Sequence, residues 1–209
     1  MSIRLLAALA TAAVAWGALA LQAGLLVDRM TGEGASVAAA LWRFFGFFTI
    51  LTNCAVAIVA TAMAFFPGSL LAGARMRLTV AASILLVGVV YSLALRAIWN
   101  PTGWQAVADH ALHDVTPPLF VVAWLASGHG GLGWRDALVA VTAPLGYCVY
   151  AFARGAAEGW YAYWFLDPTR LGALEMVRNI VLLTILFWAF ALVLVAVDRW
   201  IARRREVRR

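Results

Sequence analysis

The sequence predicts an all-α membrane protein, a polytopic bundle of six transmembrane helices that forms one domain over residues 1–209. Hydrophobic residues make up 65% of the chain, whereas ordinary soluble domains are about 45–50% apolar. The apolar residues form continuous runs of about 20 residues, the length that a bilayer core requires. These runs do not alternate with polar residues, which argues against a transmembrane β-barrel.

Polar, glycine-rich or proline-containing segments separate the six runs. They are DRMTGEGAS, PGSLLAGARMR, NPTGW, SGHGGLG and the longest connection, RGAAEGWYAYWFLDPTRLG. The aromatic residues of the last connection are typical of a membrane–water interface, and we expect residues 160–165 to form a lid. The predicted spans are 4–26, 41–66, 77–99, 106–127, 135–154 and 175–199.

Arginine placement predicts the orientation of the bundle. With six spans, one side carries Arg4, Arg75, Arg77, Arg135 and the tail RWIARRREVRR, so the positive-inside rule puts both termini in the cytoplasm. Much of the net charge of +6 belongs to this tail, which is typical of a membrane-surface anchor and not of a nucleic-acid-binding protein. The first run is alternatively a signal peptide, although it is long for one.

Composition excludes several kinds of chemistry. All 16 basic residues are arginine, so a retinal Schiff base and lysine-based covalent catalysis are ruled out. The nucleophile elbow G-x-S-x-G of soluble α/β-hydrolases is missing from the sequence. A metal site needs three or four ligands, but His129 falls in a loop on the opposite side from His110 and His113, so we expect neither metal nor cofactor.

Polar and ionisable residues concentrate at the predicted outer ends of the spans. A charge at the centre of a bilayer costs about 2.5–3.5 kcal/mol, so such a residue normally faces a cavity or a partner. Arginines taken singly have an alternative, because they snorkel to headgroups, but short side chains cannot. The pattern therefore predicts one polar cavity open to the outer leaflet. Its candidate residues are Arg43, Thr49, Asn53, Ser92, Arg96, Asn100, Asp109, His110, His113, Asp114, Arg154, Glu175, Arg178 and Asn179.

The fourth span carries a double proline beside its histidines. Pro117 and Pro118 lack an N–H and are expected to release the carbonyls of His113 and Asp114. Released carbonyls in lipid need a partner or water. We expect a kink that makes room for the polar cavity, the alternative being a kink for packing alone.

Thr49 and His113 are predicted to lie at about the same depth in the second and fourth spans. A threonine hydroxyl paired with an imidazole attacks an ester once the imidazole takes its proton. The alternative for Thr49 is the usual one for a threonine in a membrane helix, a hydrogen bond to the carbonyl four residues earlier.

Two segments, RFFGFFTILTN and DHALHDVTPPLF, resemble the hallmark segments of the androgen-induced family, six-span threonine hydrolases that include the androgen-dependent TFPI-regulating protein. That family cleaves fatty acid esters of hydroxy fatty acids with an intramembrane threonine and a histidine. The chain also resembles a bacterial six-span family along nearly its whole length. The segments YSLALRAIWNPTG, FARGAAEGWYAYWFLDP and LEMVRNI look typical of that group.

The resemblance implies that Thr49 is the nucleophile and that a histidine of DHALHD is its base. We assign the base to His113, which is deeper and adjoins the prolines, and keep His110 in reserve. Asp109, in place of the family's asparagine, is expected to orient His113. Arg96 or Asn100 is expected to stabilise the oxyanion. Arg43, Arg96, Arg154 and Arg178, with Asn53, are expected to bind the substrate, its carboxylate, an oxyanion or a lipid phosphate.

The sequence thus predicts an intramembrane lipid-ester hydrolase in a bacterial plasma membrane, with membrane lipids or fatty acyl esters as partners and no nucleic acid. The alternative is a non-enzymatic lipid or anion binder, a transporter or a sensor, that uses the same arginine-lined cavity. Transport is the weaker form of this alternative because the sequence lacks repeats and broken-helix pairs.

Overall fold

The structure, a computed structural model, describes residues 2–207, and its regular elements over that range are all helical. Within this range, five helices are long and apolar enough to cross a membrane: Ile3–Gly32, Phe48–Phe65, Ala74–Leu95, Trp134–Glu158 and Ala173–Arg205. The chain is therefore an all-α protein of the multi-pass membrane type. Its α-helices are α1 (Ile3–Gly32), α2 (Val37–Phe44), α3 (Phe48–Phe65), α4 (Ala74–Val90), α5 (Gly103–His110), α6 (Thr116–Leu125), α7 (Trp134–Ala140), α8 (Thr142–Glu158) and α9 (Ala173–Glu206).

The fourth predicted span, 106–127, is helical but is not among these five helices. It is built from α5, a π-helical segment (Ala111–Val115) and α6 in direct succession. A second π-helical segment, Tyr91–Leu95, continues α4 at its C-terminal end. The number of spans and the orientation of the termini therefore stay predictions.

The second predicted span, 41–66, is not one helix. The chain leaves the helical path between Phe44 and Phe48, so α2 and α3 are separate elements. The helices at the two ends of the chain are longer than predicted, with 30 residues in α1 and 34 in α9. Their extra turns lie beyond the apolar runs, where composition alone does not show a boundary.

Small side chains let α1 approach the rest of the bundle closely. Ala8, Ala15 and Ala18 are buried along one face of α1, which packs against α3 and α6. Small residues at such contacts allow helix backbones to come close, which increases van der Waals contact where lipid offers no hydrophobic drive. The buried core continues through α4 and α9, where Ile84 and Phe187 are fully buried.

Arginine contacts bring several loops together at one end of the bundle. Arg77 donates to the Gly128 carbonyl at 2.7 Å, and Arg75 pairs with Asp136 at 2.7 Å. His129 and Asp198 form a buried pair at 2.9 Å. The segments before α4 and α7 and the last turns of α9 therefore lie at the same end of the bundle.

Candidate functional site

A cavity of about 600 Å³ lies at the other end of the bundle. Residues from α1, α2, α3, the two π-helical segments, α5 and the 159–172 connection line it. Its polar lining includes Thr49, Asp109, His113, Arg43 and Tyr163, and its apolar lining includes Ile50, Leu95 and Leu112. Candidate residues from helices far apart in the sequence thus share one cavity.

Thr49 lies in the first turn of α3 and lines this cavity. Elsewhere in the described chain, Thr11, Thr61 and Thr184 each donate to the carbonyl four residues earlier at 2.7 Å. Thr49 does not, because α3 begins at Phe48 and no preceding helical turn supplies that carbonyl. The Thr49 hydroxyl therefore makes no hydrogen bond to a carbonyl of its own helix.

Tyr163 is the contact partner of Thr49. The backbone N–H of Thr49 donates to the Tyr163 hydroxyl oxygen at 3.2 Å, and the two hydroxyl oxygens are 3.4 Å apart. Burial raises the pKa of the Tyr163 phenol, so it stays protonated. Either hydroxyl group can be the donor in the contact between the two oxygens, so Tyr163 holds the Thr49 side chain in place by this contact and by its bond to the Thr49 backbone.

His113 is held by Asp109, one helical turn earlier. Its Nδ1 lies 2.9 Å from the Asp109 backbone carbonyl and 3.4 Å from the Asp109 Oδ1. Both neighbours are acceptors, so Nδ1 carries a proton, and in the neutral ring Nε2 is the nitrogen with the lone pair. The His113 ring also stacks on Tyr91, with ring centroids 3.9 Å apart. This arrangement sets the tautomer that a general base needs.

The Asp109 carboxylate is buried and fully engaged. Tyr91 donates its hydroxyl to Oδ2, and the Trp99 Nε1–H donates to Oδ1 at 3.2 Å. A buried charge is tolerated when several donors satisfy it. Thr49 and His113 line the same cavity, although within residues 2–207 no hydrogen bond joins them.

The π-helical segment before the double proline leaves one more carbonyl without a helical donor. Its Thr116 N–H bonds the Ala111 carbonyl, five residues back, and so does not reach the Leu112 carbonyl as it would in an α-helix. Asn53 supplies a donor, since its Nδ2 lies 3.4 Å from the Leu112 carbonyl and 2.8 Å from the Thr49 carbonyl. The release of the His113 and Asp114 carbonyls by Pro117 and Pro118 stays a prediction.

Tyrosines satisfy the irregular backbone between α2 and α3. Tyr147 donates to the Gly46 carbonyl at 3.0 Å, and Tyr150 donates to the Phe45 carbonyl at 3.1 Å. Non-helical backbone at membrane depth requires such protein partners. Gly46 is also sterically required, because a Cβ there would lie 2.7 Å from Cζ3 of Trp160. The break places Thr49 at a helix N-terminus, where free N–H groups favour negative charge.

Other candidate residues lie outside the cavity lining. Arg96 pairs with Asp114, which also binds His110 at 2.6 Å in a partly exposed cluster. Arg154 is buried and pairs with Glu158 at 2.7 Å. Asn100 and Arg178 are exposed, and Asn53 is fully buried behind the cavity wall. Of the predicted arginines, Arg43 reaches the cavity.

Sequence reasoning missed the contribution of Tyr91, Trp99 and Tyr163 to the cavity and to its hydrogen bonds. Among other aromatic and apolar residues, a tyrosine or tryptophan indicates only an interfacial or buried position, because the sequence does not show what its O–H or N–H group contacts. It also missed Arg29 and Glu33, which line the cavity from the end of α1. Both fall in a segment that composition indicates as a loop.

The fold and the cavity define a multi-pass membrane protein of the all-α class with a polar cavity at one end. Searches against protein-family models, curated proteins and solved structures found no match to this chain.

Proposed function

We propose that this protein is an intramembrane lipid-ester hydrolase with Thr49 as nucleophile and His113 as general base. The observation that carries the proposal is that both side chains line one cavity while Asp109 accepts at Nδ1 of His113, the arrangement in which Nε2 of the neutral ring is the base. The Thr49 oxygen attacks the acyl carbon and its proton passes to Nε2. The tetrahedral intermediate then expels the alcohol, which takes that proton, and water cleaves the acyl-threonine by the same route.

Tyr163 and the start of α3 take the oxyanion role that sequence reasoning assigned to Arg96 or Asn100. The Tyr163 hydroxyl is within 3.4 Å of the nucleophilic oxygen. The Thr49 N–H already donates to Tyr163, so the other N–H groups of the first turn of α3, which have no intrahelical partner, are the further donors proposed for charge that develops in the transition state. The substrates proposed are fatty acyl esters drawn from a membrane, such as fatty acid esters of hydroxy fatty acids.

The test is labelling of the purified protein by a fluorophosphonate probe that carries an alkyl chain. We expect Thr49→Ala to abolish labelling and Thr49→Ser to retain it. His113→Ala should slow labelling about 100-fold or more, because general base catalysis contributes that much. Thr52→Ala, one turn further along α3 and outside the lining, is the matched control and should label normally.

His110→Ala separates the two histidines, since His110 lies in the partly exposed cluster with Asp114. Normal labelling of this variant is expected, and loss of labelling there with retention in His113→Ala would reverse the assignment. If the wild-type protein hydrolyses no fatty acyl ester and is not labelled by the probe, the proposal that it is a hydrolase is wrong.

A non-enzymatic lipid or anion binder is the second candidate, and a specific feature favours it. Arg43 lines the cavity with its guanidinium 4.0 Å from the Trp160 ring centroid, yet within the described residues it has no ion pair. Such a protein binds lipid equally well with Thr49→Ala and His113→Ala and shows no turnover.

A further inference from the structure

Three charged residues form one end of the cavity lining, and we call them the charged rim: Arg29, Glu33 and Arg43. Gln22, Leu26, Arg29, Met30 and Glu33 line the cavity at helical intervals, so one face of α1 forms this wall. Arg29 and Glu33 are exposed, whereas Leu26 is buried. The cavity therefore reaches the protein surface at the end of α1.

The two arginines of the charged rim form no ion pair with a carboxylate of the described residues. Other arginines, such as Arg75 and Arg154, pair with carboxylates at 2.7 Å. Across residues 2–207, neither Arg29 nor Arg43 makes an ion pair or a side-chain hydrogen bond. Glu158 lies near Arg43, but its Oε1 already accepts from the Nε of Arg154 and from Trp42, each at 2.7 Å. The N–H groups of both rim arginines are free for a ligand, and guanidinium matches phosphate and carboxylate oxygens bidentately.

The length of α1 puts the charged rim at headgroup level. Arg4 and Arg29 are 25 residues apart on one straight helix, about 38 Å at 1.5 Å per residue. A bilayer is about 30 Å thick in its hydrocarbon core and about 40–45 Å with its headgroups. When Arg4 lies among the headgroups of one leaflet, Arg29 lies among those of the other. Exposed Trp42 and Trp99, near the cavity, are typical of the same level.

Glu33 selects among anionic ligands. It follows Arg29 by four residues, and within the described chain the two form no ion pair. A free fatty-acid carboxylate would bring a like charge beside Glu33. A zwitterionic headgroup carries an ammonium next to its phosphate, so the phosphate suits the arginines while the ammonium suits Glu33 and the face of Trp99, the Trp160 ring being stacked with Arg43.

From these contacts we infer that the charged rim binds the headgroup of a zwitterionic glycerophospholipid, with phosphate on Arg29 and Arg43 and ammonium at Glu33. The inference rests on the proposed function of the same cavity and names its substrate class. Thr49 attacks the acyl carbon of a glycerol ester, the glycerol oxygen leaves with the proton held by His113, and water hydrolyses the acyl-threonine. The products are a lysophospholipid and a fatty acid.

The experiment uses the full chain in detergent micelles with substrates of matched acyl chains: phosphatidylethanolamine, phosphatidylglycerol, diacylglycerol and a fatty acid ester of a hydroxy fatty acid. Arg29→Gln and Arg43→Gln should each lower cleavage of phosphatidylethanolamine about tenfold or more, since each removes charge-assisted hydrogen bonds, and should lower cleavage of diacylglycerol, which has no phosphate, much less. Glu33→Gln should lower cleavage of phosphatidylethanolamine and spare phosphatidylglycerol. Arg203→Gln is the matched control. Arg203 is exposed and lies in the last turn of α9, at the end of the bundle opposite the cavity, so this variant should change none of these rates.

Equal loss on all four substrates in the arginine variants, or a wild-type preference for the hydroxy fatty acid ester, overturns the headgroup inference. Binding separates this inference from the hydrolase. Retention of phosphatidylethanolamine by Thr49→Ala, measured by native mass spectrometry, should fall about tenfold when Arg43→Gln is added. If no ester is cleaved but this loss is seen, the hydrolase fails and the headgroup site stands. If esters are cleaved and retention is unchanged, the headgroup site fails and the hydrolase stands.

Discussion

At the scale of single residues, the hydrogen bonds of Thr49 and His113 distinguish them from other polar residues of the bundle. Thr49 lacks the carbonyl that satisfies Thr11 and Thr61, because its helix begins one residue before it. His113 has its Nδ1 satisfied by Asp109, so Nε2 is the base in the proposed hydrolase. The proposal needs a hydroxyl and an imidazole nitrogen in one cavity, since these are the minimum for acyl transfer.

Asp109→Asn tests how His113 is oriented. The variant loses the carboxylate near Nδ1 but keeps the backbone carbonyl at 2.9 Å, so the tautomer should persist. We expect the fluorophosphonate labelling rate to fall about tenfold rather than to vanish, because the imidazolium formed in the reaction loses a compensating charge.

Asp114→Asn is the matched control for this prediction. Asp114 pairs with Arg96 and His110 outside the cavity lining, so the labelling rate should stay at the wild-type value. Complete loss of labelling in Asp109→Asn, in a protein that still folds, shows that the backbone carbonyl does not hold the tautomer.

Gly46→Ala tests the steric demand at the helix break. The added methyl group would lie 2.7 Å from Trp160 and 2.9 Å from Arg154 Nη1, and overpacking of this kind costs about 1–3 kcal/mol. We expect a lower midpoint of thermal unfolding in detergent. Gly24→Ala, on α1 with no atom within 4 Å, is the control and should raise the midpoint slightly because alanine favours helix. Equal midpoints for both variants contradict the close packing at Gly46.

At the scale of elements, two interruptions of helix regularity build the site. The break between α2 and α3 exposes the start of α3, and the π-helical segment Ala111–Val115 turns His113 into the cavity lining. Each interruption frees backbone groups, and side chains from other elements satisfy them: Tyr147 and Tyr150 at the break, Asn53 at the π-helical segment. Segments of π-helix often mark functional sites for this reason.

A double-mutant cycle tests the link between Asn53 and Pro117. Asn53→Ala leaves the Leu112 carbonyl without a donor, which should cost about 1–3 kcal/mol of stability. Adding Pro117→Ala restores a backbone N–H, which reaches the Leu112 carbonyl if it continues the five-residue register of Thr116 and Ala111, so the double variant should recover part of the loss. The measurement is the free energy of unfolding in denaturant for both single variants and the double variant.

The two substitutions should therefore couple, with an interaction energy of about 0.5 kcal/mol or more. Strict additivity would show that Asn53 stabilises the fold through its bond to the Thr49 carbonyl alone.

For the whole molecule, the prediction of six spans depends on whether the fourth predicted span, built from residues 103–125, crosses the membrane. The other five helices meet the requirements of length and apolarity, whereas this one carries Asp109, Asp114 and two histidines. Six spans put both termini on one side, opposite the cavity. Five spans put the termini on opposite sides, and the C-terminus then shares a side with the connection before α5.

Cysteine accessibility distinguishes these topologies. In a chain whose Cys54 and Cys148 are replaced by alanine, we expect Thr102→Cys to react with a membrane-impermeant maleimide from outside intact cells. Val207→Cys, which is 89% exposed, should react only after the membrane is opened. Reaction of both from the same side means that 103–125 does not span.

The sequence by itself determines that the chain is apolar and helical, where most helices lie, and which residues are too polar for lipid. It therefore identifies Thr49, Asp109, His113 and Arg43, because a short polar or charged group in an apolar run is visible without knowledge of its neighbours. Periodicity predicts depth and helix face, but not what a long side chain finds across a helix interface. For that reason only the tertiary structure places Arg96 and Arg154 in ion pairs outside the cavity lining. It likewise decides that Tyr163 meets Thr49, a contact that spans 114 residues of sequence and depends on where the connection folds back.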